Sequence, residues 1–415
     1  MSILDNGKEN ENIEKDNKER IIDGLVKEYD PRLGFITIEC IAKVDQQLLK
    51  QRLQQNELTI LQRPHMAIFA KYKAILMDLD EALDDEFHPQ YHFFKALVNT
   101  DIDYFPKPET VPDISKIDFI NPNLNEDQKC AVAEALQASI VYVLQGPPGT
   151  GKTTVLEEII RQLNKQGQRI LVCATSHVST DNLAERFINS GIDIARLGTM
   201  EKVSNKVKPI TLEYRFQEAG ILELSSECEK LIEQNGNEIP DEIACQLGDL
   251  KAAIAEKSQD IRAQFLESNI VFTTVNGARE FQLVKYLQET QNYYDCFIID
   301  ECAQSPEISC WLPIFNGRKL IVAGDHMQLS YVSKSQEAKK NSYTKSLLER
   351  LMNSLPHWCK RTLKIQYRMN SILNSWPSKQ FYGGKLQPCE AIAMRTLSEF
   401  AKPWVKKQDI PILTL

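Results

Sequence analysis

An α/β fold, with a parallel sheet covered by helices on both faces, is what three features of this 415-residue sequence predict. Short apolar runs suited to buried strands (SIVYVL, RILVCA, NIVFTT, CFIID and KLIVAG) alternate with helical stretches, as strands joined by helical crossovers require. A glycine-rich loop, Gly146 to Thr153, joins the first of these runs to a helix. A later run ends in the paired acids Asp300 and Glu301, at the strand end where parallel sheets gather their ligands.

In chain order, residues 1–30 hold nine acids and five bases with few apolar positions. So little burial does not offset the entropy of ordering, which predicts a disordered acidic tail. Residues 31–115 read as a small strand and helix module with stalk helices. Within them LGFITIECI (33–41) and ELTIL are strand-like and Val44 to Leu53 is helical. Met66, Phe69, Tyr72, Leu76, Leu79 and Leu83 recur on one helical face, and a second helix is expected near Tyr91 to Val98. The proline-spaced FPKPETVPDI (105–114) reads as a linker. Residues 116–355 form the first sheet domain, with helices from Lys152 and from Asp181 to Ile188. Its stretch 203–268, rich in Glu, Lys, Ala and Leu, reads as an inserted helical subdomain. Residues 356–415 open a second, incomplete domain.

Composition narrows the class. With 42% hydrophobic and 26% charged residues the chain is globular, and no run reaches a membrane span. The N-terminus lacks the apolar core of a secretory signal, so an intracellular place, cytoplasmic or nuclear, is expected. Ten cysteines without a CxxC pair fit reduced thiols, with neither disulfides nor a metal cage. The net charge of −8 counts against nucleic acid, but a protein tracking one strand needs only a local groove of positive charge. Lys334 to Lys345, Lys360 to Arg368 and Lys402 to Lys407 are basic clusters, though such runs are more often simply solvated.

Gly146, Pro147, Pro148, Gly149, Thr150, Gly151, Lys152 and Thr153, with Thr154 behind them, form a Walker A loop in its proper strand-to-helix context. Backbone N–H groups and the helix N-terminus would cradle phosphates, Lys152 would reach the outer ones, and Thr153 would ligate Mg2+. Asp300 would complete the magnesium shell, and Glu301 would orient or deprotonate the attacking water. The expected ligand is a nucleoside triphosphate with Mg2+, as in an ATPase. In AAA+ machines the acidic strand follows within roughly one or two βα units of the loop, so the distance from Lys152 to Asp300 disfavours that class.

Asp300-Glu301-Cys302-Ala303-Gln304, then Gly324-Asp325-His326-Met327-Gln328-Leu329, then Gln366-Tyr367-Arg368-Met369 resemble, in order, three boxes of superfamily 1 helicases. With Asn123-Leu124-Asn125 to Gln128, Arg196-Leu197-Gly198 and Ser346 to Leu351, they resemble the up-frameshift-type branch, which moves 5′ to 3′ on RNA or DNA. The resemblance covers residues 64 to 390. It implies two RecA-like domains and an ATP-dependent helicase motor. Gln128 would recognise adenine, Tyr367 would stack on the base, and Arg368 would act as an arginine finger. Gln304, Asp325 and Gln328 would sense the γ-phosphate.

Single-stranded RNA or DNA would be held without sequence preference by Thr175, Ser176, Thr273, Thr274 and Asn276. The sequence departs from the family at His177, Ser330-Tyr331 and Asn370, where asparagine, two prolines and histidine are usual. Ile410 to Leu415 resembles the opening strand of the second RecA-like domain, and the family's later boxes do not follow it. The alternative expectation is a nucleotide-gated interaction module, or half of a motor completed by a second polypeptide.

Overall fold

The computed structural model describes residues 66–395 except 236–239, 291, 334 and 342, and four strand segments before residue 66. The chain divides into two compact units, Met1–Lys71 and Tyr72–Leu415.

In the first unit, β1 (Ser2–Asp5), β2 (Ile22–Asp30), β3 (Phe35–Cys40) and β4 (Leu58–Leu61) form an antiparallel sheet in the order β3-β2-β1-β4. Two of these strands correct the expected tail over 1–30. Average composition hid that Ile22, Leu25, Val26 and Tyr29 concentrate its apolar residues in one segment, which pairs with β3 through a bulge between Val26 and Glu28. The helix expected from Val44 to Leu53 lies outside the described residues, as do Lys402 to Lys407 and Ile410 to Leu415.

The second unit is built on a seven-stranded, wholly parallel sheet. Its strands are β5 (Val141–Gln145), β6 (Ile170–Ala174), β7 (Ile194–Arg196), β8 (Ile270–Thr274), β9 (Cys296–Asp300), β10 (Leu320–Gly324) and β11 (Lys360–Thr362), in the order β11-β5-β10-β9-β6-β8-β7. Every residue of β5, β6, β9 and β10 is buried, which is why they read as continuous apolar runs. Among the described residues no helix is long and apolar enough to cross a membrane.

The helices follow local chemistry. α1 (Met66–Asp84) and α2 (Tyr91–Asn99) occupy the expected stretches. Tyr72 bonds Ser309 and Arg350 Nη1 donates to Leu97 O, so their partners lie in the sheet domain. α3 (Glu126–Gln137) begins with a capping box between Asn125 and Gln128. α4 (Lys152–Lys165) leaves the glycine-rich loop. α5 spans His177–Ala184 rather than Asp181 to Ile188, because Ser176 caps it early by accepting from Ser179 N at 3.1 Å. The expected insertion contains α6 (Leu212–Glu218), α7 (Ile221–Asn235) and α8 (Asp241–Glu267).

The boundary expected at 355/356 moves. β11 pairs with β5, and Arg361 fixes it there, with Nη2 2.5 Å from Glu134 Oε1 and Nη1 2.7 Å from Asp127 Oδ1 on α3. The sheet therefore takes in residues to 362. Beyond it, β12 (Ile365–Gln366), α9 (Ser371–Phe381) and β13 (Gln387–Pro388) form a small module in which β12 and β13 pair in parallel.

Candidate nucleotide site

Sheet register gathers the site. Gln145 lies beside Gly324, and Ala174 beside both Asp300 and Thr274, so the carboxyl ends of five strands share one edge.

The loop from Gly146 to Thr153 turns between β5 and α4. Gly149 and Gly151 have φ of +76° and +79°, a region that costs other residues about 1–2 kcal/mol. Their faces are also covered: a Cβ on Gly149 would stand 2.5 Å from Arg368 Cβ, and one on Gly151 2.7 Å from Gln128 Nε2. Gly149→Ala is therefore expected to weaken ATP binding about tenfold, measured by titration with a fluorescent ATP analogue. Thr150 closes the turn by donating its hydroxyl to Pro147 O at 2.7 Å.

Lys152 Nζ stands 2.9 Å from Asp300 Oδ1 and 2.5 Å from Glu301 Oε1. Burial by itself lowers the ammonium pKa, but the two carboxylates outweigh it and the net shift is upward. Lys152 thus stays charged and holds two acids that would otherwise repel. Glu301 adopts a left-handed backbone, φ +54°, with its N–H donating to Asp300 Oδ1 at 2.8 Å. That turn aims the two consecutive side chains at one point instead of opposite faces. Magnesium binds few protein groups when phosphates share it. The hydroxyl of Thr153, in the first turn of α4, and the carboxylate of buried Asp300 are the hard oxygen donors that fit.

The polar boxes converge here as well. Gln304 Nε2 donates to Glu301 Oε2 at 3.0 Å. Buried Asp325 accepts from Gln145 Nε2 at 3.0 Å and from Gln328 Nε2 at 2.8 Å. Gln366, fully buried, shapes its turn by accepting from Arg368 N and Met369 N, both at 2.8 Å. The next residue, Tyr367, donates its N–H to Gly149 O at 2.8 Å, and its hydroxyl accepts from Asn125 Nδ2 at 2.6 Å. Tyr367 and Arg368 are therefore seated on the glycine-rich loop. Gln128 commits its amide to the protein: Oε1 accepts from Asn125 N and Nε2 donates to Thr150 O, both at 3.0 Å. In this structure it braces the loop.

The five residues expected to hold nucleic acid are not alike. Thr175 and Ser176 lie at the start of α5, where the Ser176 hydroxyl serves as cap, and Asn276 is exposed. Thr274 Oγ1 accepts from Gly277 N at 3.1 Å. Thr273 is fully buried and its hydroxyl has no hydrogen-bond partner, because β8 is covered on both faces as far as that residue. It is corrected as a surface contact.

Three side chains had no role assigned from sequence. Gln145 and Tyr382 both bond Asp325. Arg196, in the Arg-Leu-Gly segment, is fully buried and pairs with Asp181 through Nε at 2.8 Å, while its Nη2 lies 3.2 Å from His177 Nδ1. Arg196 was signalled by the Arg-Leu-Gly segment and Tyr382 by an aromatic before two glycines, while Gln145 had no signal beyond a polar residue ending an apolar strand. A cavity of about 780 Å³ lined by Lys107, Met352, Trp358, Lys364 and Tyr382 includes no residue of the glycine-rich loop, so volume does not locate this site.

A parallel sheet, a Walker A lysine clasped by a strand-end Asp-Glu pair, and an arginine seated on the loop define a P-loop ATPase site of helicase type. A family model described as an AAA domain matches residues 123–246 and 232–336, and another of the same description matches 343–414. "DNA-binding protein SMUBP-2" of Rattus norvegicus is 33% identical over 322 residues, covering 75% of this chain and 32% of the relative. "DNA polymerase alpha-associated DNA helicase A" of Schizosaccharomyces pombe is 35% identical over 296 residues, 69% and 43%. "Regulator of nonsense transcripts 1 homolog" of Arabidopsis thaliana is 33% identical over 292 residues, 68% and 22%. The chain belongs to this family, in the up-frameshift-type branch of superfamily 1 helicases. It spans less than half the length of each of these three relatives. The family's description carries the letters AAA, whereas the spacing of Asp300 speaks against an AAA+ machine; the relative from Schizosaccharomyces pombe is named as a helicase, the class that the three boxes resemble.

Proposed function

We propose that this chain binds ATP with magnesium and hydrolyses it in step with binding single-stranded RNA or DNA, as part of a helicase motor inside the cell. The observation that carries this reading is the clasp of Lys152 by Asp300 and Glu301 at the end of the loop on which Tyr367 and Arg368 are seated. An ammonium held between a metal-shell acid and a base is poised to pass to phosphate when nucleotide enters. Lys152 takes the β- and γ-phosphates, Thr153 and Asp300 hold the metal, and Glu301, freed of Lys152, orients water. Tyr367 stacks on the base, and Arg368 meets the charge that spreads over the transferring phosphoryl group. Thr175, Ser176, Thr274 and Asn276 grip the strand through its backbone.

The test is steady-state ATP hydrolysis by the purified chain, with and without single-stranded RNA or DNA, beside Lys152→Ala. Stimulated turnover that Lys152→Ala abolishes supports the proposal. ATP binding with no turnover above the Lys152→Ala background would replace it with a nucleotide-gated binder, or with half of a motor completed by a second polypeptide.

A further inference from the structure

The module after β11 touches the nucleotide site twice. At its start, Tyr367 N–H bonds Gly149 O. At its far end, Tyr382, the residue that closes α9, donates its hydroxyl to Asp325 Oδ2 at 2.6 Å. Between these points the module is braced internally: Asn374 Nδ2 and Ser378 Oγ both donate to Leu386 O at 2.8 Å, and Cys389 N donates to Gln366 O at 2.9 Å. These bonds tie α9 and the segment from Leu386 to Cys389 to Gln366, and so link Tyr382 to Tyr367 and Arg368 through the module's own framework.

Asp325 is the point of exchange. Its Oδ2 accepts from both Gln328 Nε2 and Tyr382, while Oδ1 takes Gln145 Nε2 and Met327 N. When the Gln328 amide turns away to a phosphate, Tyr382 is the donor left on Oδ2. Burial, then the hydrogen bond to Asp325 and its charge, push the Tyr382 phenol pKa upward, so it remains a donor at neutral pH.

We propose that Tyr382 is a positioning residue: through Asp325 it ties the module bearing Tyr367 and Arg368 to the state of Gln328. This rests on the proposed roles of Gln328 as phosphate sensor and Arg368 as finger. The loss of one hydroxyl in Tyr382→Phe is expected to raise hydrogen exchange at the Tyr367 amide about five- to tenfold, the scale of one hydrogen bond, with β8 amides unchanged. In turnover, Tyr382→Phe is expected to lower kcat and leave KM alone, and to add nothing in an Arg368→Ala background. If Tyr382→Phe does not fold, Asp325→Asn supplies the same exchange measurement. Unchanged exchange at Tyr367, or effects of Tyr382→Phe and Arg368→Ala that simply add, would overturn the proposal. A wild-type chain without ATP turnover would sink the proposed function alone, and the exchange measurement would still decide the role of Tyr382.

Discussion

Glu301→Gln is expected to lower ATP turnover by about 10²–10⁴-fold, the span a general base contributes, while ATP affinity stays within about threefold. Glutamine keeps the shape of the side chain, the left-handed backbone that aims it and an oxygen able to accept from Lys152. What it lacks is basicity. Asp300, which shares Lys152 and shapes the turn through its bond to Glu301 N, is untouched. Single-turnover hydrolysis beside a nucleotide-binding titration separates the two quantities. A parallel fall in affinity would mean that Glu301 supports the loop and not the attacking water.

Arg196→Met is expected to destabilise the fold by about 3–5 kcal/mol, the scale of breaking a buried ion pair from one side. Arg196 is wholly buried, and besides the Asp181 bond its guanidinium donates to Leu197 O. Without it, Asp181 keeps Ser204 N at 2.7 Å but remains a buried carboxylate short of positive charge. Burial lowers the arginine pKa and the bond to Asp181 opposes that fall. The double variant Asp181→Leu with Arg196→Met should be less damaged than either single variant in chemical denaturation. His177 shares the cluster: burial and then the neighbouring Arg196 and Lys202 lower its pKa, which leaves a neutral ring able to accept from Arg196.

The sheet and the nucleotide site were legible for a shared reason. Fully buried parallel strands must be apolar throughout, and a loop that wraps phosphate must carry glycine where the backbone turns left-handed, as at Gly149 and Gly151. Such demands fix residue types. β7 and β11 escaped because each is three residues long and carries charge, Ile-Ala-Arg and Lys-Arg-Thr, and partners far away in the chain hold both. Arg361 finds Glu134 and Asp127, and Arg196 finds Asp181; no local pattern announces such pairs. Thr273 failed as a surface contact because β8 is covered on both faces as far as that residue and opens only at Thr274, its last. The strands in residues 1–30 were lost by averaging composition over a segment whose apolar residues are bunched.

The place of β5 in the sheet has a consequence for synthesis on the ribosome. The strand that leads into the phosphate loop pairs with β10 and β11, which emerge roughly 180 and 220 residues later, while β6 finds β8 and β9 sooner. At about 5–20 residues per second, β5 waits on the order of ten to forty seconds with both edges bare. Among the sheet's neighbours, the half that carries β6, β8 and β9 can assemble first, and the phosphate loop gains its fixed base only when Leu320 has arrived. For this chain, nucleotide binding is a late event of folding, and a holding chaperone has its clearest target in the segment from Val141 to Gln145.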